Sequence, residues 1–142
     1  MDEGSGSSID DSSSNSNDGT VTGATWADAD GGRWYTSTTA GFSTGDSLSF
    51  DGTDDYVTVA DSASLDVSNI TIAAWIKTAD DVTTTQFIIA KWDETLGNER
   101  SYAVSISGSQ FYFWTSPDGD SISQHSLIRG TVAANTWYHL AV

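Results

Sequence analysis

Apolar and polar residues alternate with a period of two along most of this 142-residue chain, and the apolar spacing of an amphipathic helix is absent. The clearest runs cover residues 19–26, 47–50, 56–60, 70–78, 86–92, 101–107, 110–115 and 136–142, and each predicts a short strand. Within 70–78, Ile70, Ile72, Ala74 and Ile76 fall on one face. Within 110–115, Phe111 and Phe113 share a face that can enter a core, which leaves Tyr112 and Trp114 on the other. Short strands separated by Gly, Asp and Ser predict an antiparallel sandwich. Ser107-Gly108-Ser109 is short enough to close a hairpin between its flanking strands. Residues 48–59, LSFDGTDDYVTV, read as strand, acidic turn and strand, a hairpin with a negative tip. Residues 1–17 and 27–45, rich in Ser, Gly, Thr and Asp, read as loops.

Taken in order, LSFDGTDDYVTV, ITIAAWIKT and TWYHLAV resemble the laminin-G-like branch of the concanavalin A-like lectin/glucanase superfamily. The opening DEGSGSSIDDSSSNSNDGTVTGATW is similar to the family's amino-terminal region, with Ser14 and Ser16 standing where the family usually carries glycine. The resemblance covers nearly the whole chain and implies one all-β, jelly-roll-like antiparallel sandwich domain over residues 1–142. Family members continue past the 136–142 strand into a further hairpin and closing strands, and have part of a strand before the position of Asp2. The run 136–142 itself meets no Gly, Pro, Asn or Asp after Asn135. The expectation is an incomplete sandwich, completed by neighbouring domains or by another chain. Domains of this kind serve as sugar binders, adhesion modules, spacers and enzymes, so the fold by itself names no ligand.

Length and composition narrow the choice. A chain 37% hydrophobic, with six Trp, five Tyr and five Phe, can bury one core. Twenty Asp and Glu against five Lys and Arg leave a formal net charge of −15. That field repels nucleic acid and anionic membranes and attracts divalent cations or basic partners. The acidity suits a salt-adapted host or an ordinary secreted module. Without cysteine there is no disulfide framework and no thiol chemistry. No apolar run reaches membrane-spanning length, so membrane insertion is not expected, and Met1-Asp2-Glu3 is the opposite of a basic leader. An extracellular, cell-surface or virion location is expected, any export signal lying outside this chain.

The candidate chemistry is of three kinds. Residues 11–19, DSSSNSNDG, gather carboxylate and amide oxygens suited to a hard cation, and the family resemblance implies a structural calcium at the loop of Asp11, Asn15 and Asn17, with Asp18 beside them. The competing reading is a solvated polar loop. Asp51, Asp54 and Asp55 form a second acidic group, which turn chemistry alone explains. Glycan binding needs aromatic faces beside hydrogen-bonding groups, and Tyr112 with Trp114 is the candidate platform; the competing reading is that a loop or further strands cover them. Trp26, Trp34, Trp75, Trp92 and Trp137 read as core or edge packing.

A glycoside hydrolase would need paired carboxylates at a defined separation. The compact ExDxxE pattern of the glucanase relatives does not occur, and Asp93, Glu94 and Glu99 flank a Gly97-Asn98 turn. His125 and His139 lack a nucleophile elbow or a zinc-binding spacing, and His139 reads as a structural histidine. Asn69-Ile70-Thr71 matches the N-glycosylation sequon. The expectation is a non-catalytic carbohydrate-binding or adhesion module of a larger extracellular or virion protein, with a glycan or cell-surface polysaccharide as partner. The alternatives are a purely structural acidic surface domain and, third, a glycosidase-type enzyme.

Overall fold

A computed structural model describes residues 3–28, 46–93, 99–120 and 125–142. The described chain is all-β, with eleven strands and one 3-10 turn, Ala63–Leu65. The strands are β1 Ser8–Ile9, β2 Gly19–Thr22, β3 Thr25–Asp28, β4 Asp46–Ser49, β5 Tyr56–Val59, β6 Ala73–Lys77, β7 Gln86–Asp93, β8 Glu99–Ser107, β9 Gln110–Thr115, β10 His125–Arg129 and β11 Trp137–Ala141. All pairings are antiparallel. The eight alternating runs each carry a strand; β1 and β10 lie outside them. The chain forms two compact units, Met1–Leu65 and Asp66–Val142.

In the first unit, β1, β2 and β5 form one sheet and β3 pairs with β4. The expected hairpin over residues 48–59 is therefore corrected, because β4 and β5 do not pair with each other. They pair in succession with the two halves of a single run, Thr25 opposite Ser49 and Thr22 opposite Tyr56. The acidic segment is an insertion bulging from one side of a long ribbon, opposite a kink at Gly23. Its closure is made by side chains: the Asp51 N–H donates to Asp55 Oδ2 at 2.8 Å and the Thr53 N–H to Asp51 Oδ1 at 2.7 Å. Gly23 has φ of 77°, and a Cβ there would lie 2.0 Å from Asp55 Oδ1. Glycine is thus required twice at this point, by a left-handed backbone and by a carboxylate occupying the side-chain space.

The second unit is a sandwich. A four-stranded sheet, ordered β10-β9-β8-β7, lies against the two-stranded ribbon of β6 and β11. Buried Val82, Ile106 and Val132 form its centre, with Ile76, Ile88, Phe111 and Tyr138 packed around them. Ile76 and Tyr138 are directly opposite each other in the ribbon, so the Ile72, Ala74, Ile76 face turns inward, as the alternation predicts. Phe111 reaches the same core and meets the Tyr138 ring edge-on at 5.2 Å. β8 is buried on both sides, from Tyr102 to Ile106. Gly108 and Ser109, with φ of 55° and 58°, close the β8–β9 hairpin as a two-residue turn of the primed kind, whose twist matches that of its strands.

Candidate functional site

The face of the four-stranded sheet turned away from this core carries Tyr112 and Trp114 two residues apart on β9. Their rings are nearly parallel, 11° between planes and 5.4 Å between centroids. On the other side of Trp114 stands Trp92 of β7, at 6.4 Å and tilted by 56°. The Arg100 guanidinium lies 6.0 Å from the Trp92 ring, a cation–π contact at the end of the row. Trp114 donates its indole N–H to Ser105 Oγ at 3.0 Å, and Ser105 is 1% exposed. Tyr112, Trp114 and Trp92 are each half-buried. The row therefore presents ring edges and outer faces, while the indole of Trp114 is held between two neighbours and anchored from below. Such a row can stack on the apolar face of a pyranose, with Arg100 as a nearby donor. Sequence alternation found Tyr112 and Trp114; Trp92, Arg100 and the Ser105 anchor come from neighbouring strands.

The 11–18 loop is organised around Asp11. Its carboxylate accepts the Ser13 N–H at 2.8 Å, the Ser13 hydroxyl at 2.6 Å and the Asn17 N–H at 2.9 Å. These bonds, the Ser13 hydroxyl first and then the two backbone amides, hold the Asp11 carboxyl below its usual range. The Asp11 N–H donates to Asp18 Oδ1 at 2.8 Å, and Asn17 Oδ1 accepts the Ser64 hydroxyl at 3.0 Å. The Asn15 N–H reaches Ser13 Oγ at 3.2 Å. The fold thus brings Asp11, Asn17 and Asp18 together, but most of the oxygens suited to a cation already accept protein hydrogen bonds. Ser16 has φ of 55°, a conformation that favours glycine, which accounts for the glycine usual there in the resembling family.

Among the described residues, one group of three acids could hold a metal ion: Asp51, Asp54 and Asp55 each offer an oxygen, all within 4.8 Å of one another. That separation suits calcium, whose oxygen ligands lie about 2.3–2.6 Å from the ion. Two of the group's oxygens likewise accept backbone N–H groups, Asp55 Oδ2 from Asp51 and Asp51 Oδ1 from Thr53, so both loops spend part of their carboxylate oxygens on their own closure.

The remaining candidates are placed as follows. Asp93 and Glu99 pair across the ends of β7 and β8; Glu94, Gly97 and Asn98 lie outside the described residues, as does Trp34. Trp26 is half-buried and donates its indole N–H to the Gly6 carbonyl at 2.7 Å. Trp75 departs from expectation: it is 52% exposed, on the outward face of the β6–β11 ribbon, against the ring of exposed His139 at 5.0 Å. Its position out of phase with Ile72, Ala74 and Ile76 was the signal for this, since whatever alternates with an inward face points outward. Among the described residues no helix is long and apolar enough to cross a membrane.

Comparison with known proteins agrees with this architecture. The curated proteins and the solved structures returned no match. A laminin-G-type family model, described as the concanavalin A-like lectin/glucanases superfamily, matches residues 51–142, which include all six strands of the sandwich. With this match and an all-β antiparallel sandwich, the chain belongs to the laminin-G-type branch of the concanavalin A-like lectin/glucanase superfamily.

Proposed function

We propose that this chain is a non-catalytic, glycan-binding or adhesion module of a larger extracellular or virion protein, acting through the outer face of its four-stranded sheet. The observation that carries the reading is the row Tyr112, Trp114 and Trp92 with Arg100 at its end, in a lectin-like sandwich. Rings fixed on strands bind sugar at small entropic cost, because their rotamers are set by neighbours before the ligand arrives. A structural calcium belongs to the same reading, held by Asp11, Asn15, Asn17 and Asp18 or by the Asp51, Asp54 and Asp55 group.

The alternative is a structural acidic surface domain without a sugar site, and the Trp114 bond to Ser105 favours it, since an anchored and flanked indole is also what packing requires. Replacing Trp114 by Ala separates the two. As a platform residue, its loss abolishes binding on a glycan array with the melting temperature nearly kept. As a packing residue, its loss costs up to about 3–5 kcal/mol of stability. Unchanged binding with an unchanged melting temperature would defeat both.

A further inference from the structure

A second aromatic surface lies on the outward face of the β6–β11 ribbon. Register places Trp75 opposite His139, Lys77 opposite Trp137 and Ala73 opposite Ala141. All six side chains share the face opposite to Ile76 and Tyr138, which enter the core. Five of them are exposed and Trp137 is half-exposed. Trp75 at 52% is unusual for the largest apolar side chain, which normally hides most of its surface. Trp137 is its diagonal neighbour on the adjacent strand, a separation of about 7–8 Å between Cα atoms. Two indoles thus stand on one flat patch, held by strands rather than by loops.

The charge pattern says what this patch suits. The chain carries twenty acidic residues, yet none of these six positions is acidic. A net charge of −15 repels anions at long range, and the six strand positions themselves offer a cationic ligand no carboxylate. An uncharged ligand meets neither penalty. Strand addition from a peptide needs a sheet edge with free backbone groups, whereas a sheet face offers rings and side-chain donors. Ring faces suit the C–H side of a sugar, and the ring nitrogens of exposed His139 can serve its hydroxyls.

We propose that the Trp75, Trp137, Lys77 and His139 face of the β6–β11 ribbon binds neutral oligosaccharide. The inference rests on the glycan-binding reading but places sugar on a different face from the Tyr112 and Trp114 row.

The indole N–H signals of the six tryptophans in a proton–nitrogen correlation spectrum, assigned by single Trp→Phe substitutions, test it directly. The uniformly labelled protein is titrated with neutral hexasaccharides of β-1,4-glucan, β-1,3-glucan, α-1,4-glucan and β-1,4-mannan, and with oligogalacturonate as the charged comparison. The Trp75 and Trp137 signals are expected to move with at least one neutral oligosaccharide, equally at low and high sodium chloride. Trp75→Ala should abolish the movement at Trp137, while Trp75→Phe, which keeps a ring, should retain it. Movement confined to Trp92 and Trp114 would overturn this inference and leave glycan binding standing at the first face. Movement only with oligogalacturonate would overturn the choice of a neutral ligand. Silence of all six indoles toward every sugar would remove both this inference and the glycan-binding reading. The wild-type spectra carry the decision even if an alanine variant fails to fold.

Discussion

Replacing Gly23 by Ala tests the most specific feature of the first unit, the side-chain-closed insertion between β4 and β5. The perturbation acts in two ways. The backbone at φ of 77° must accept a side chain, which costs about 1–2 kcal/mol for a left-handed residue. The new methyl would also lie 2.0 Å from Asp55 Oδ1, so the carboxylate must leave and its bond from the Asp51 N–H is lost, a further loss of about 0.5–1.5 kcal/mol. The expected total is about 1.5–3.5 kcal/mol. Asp55→Ala alone should cost only the hydrogen-bond part. The double variant should cost no more than Gly23→Ala, because the carboxylate that the methyl evicts is already gone. Urea melts of the four proteins, followed by circular dichroism in the presence of chelator, measure this coupling. Strictly additive costs, or a Gly23→Ala variant within about 0.5 kcal/mol of the parent, would refute the reasoning.

Three further outcomes are expected. Calcium at about a hundred times its dissociation constant should add about 2.7 kcal/mol of stability; Asp54→Asn should erase that gain if the Asp51 group holds the ion and Asp11→Asn if the 11–18 loop does, while equal thermal midpoints in calcium and in chelator would remove the ion altogether. Asp81, whose carboxylate accepts the Thr83 hydroxyl, the Thr83 N–H and the Thr84 hydroxyl, has its pKa lowered from 3.8 to about 2. Because the folded value is depressed, its stabilising contribution is complete above 3.8 and disappears as pH falls toward about 2; carboxyl-carbon NMR should record the low value and a rise in Thr83→Ala, and an unshifted titration would contradict the loop geometry. Raising sodium chloride from about 0.1 to about 1 M, which shortens the Debye length from about 10 to about 3 Å, should raise the melting temperature by screening self-repulsion in a chain of net charge −15. A flat or falling midpoint would count against the repulsion argument.

Local rules carried a large part of this fold. Successive side chains of an extended strand point to opposite faces, so the positions of β6, β9 and β11, and the inward set Ile72, Ala74 and Ile76, followed from alternation alone. The Ser107-Gly108-Ser109 turn was equally legible, because two residues of left-handed backbone suffice to reverse a twisted ribbon. Strand partnership was not, since it joins residues far apart in sequence. Residues 48–59 have every local mark of a hairpin, yet β5 lies on β2 and β4 on β3, with Gly23 and the Asp55 carboxylate packed together where the two pairings meet. Alternation divides a strand into two faces but does not say how each is covered: Trp114 is flanked by Tyr112 and Trp92 while Trp75, with the same local pattern, stands half in solvent. The oxygens of the 11–18 loop were visible as composition, but how many remain for a cation depends on which backbone N–H groups the returning chain presents to Asp11. That is decided only when the loop closes, because hydrogen-bond acceptors are spent by geometry and not by sequence order.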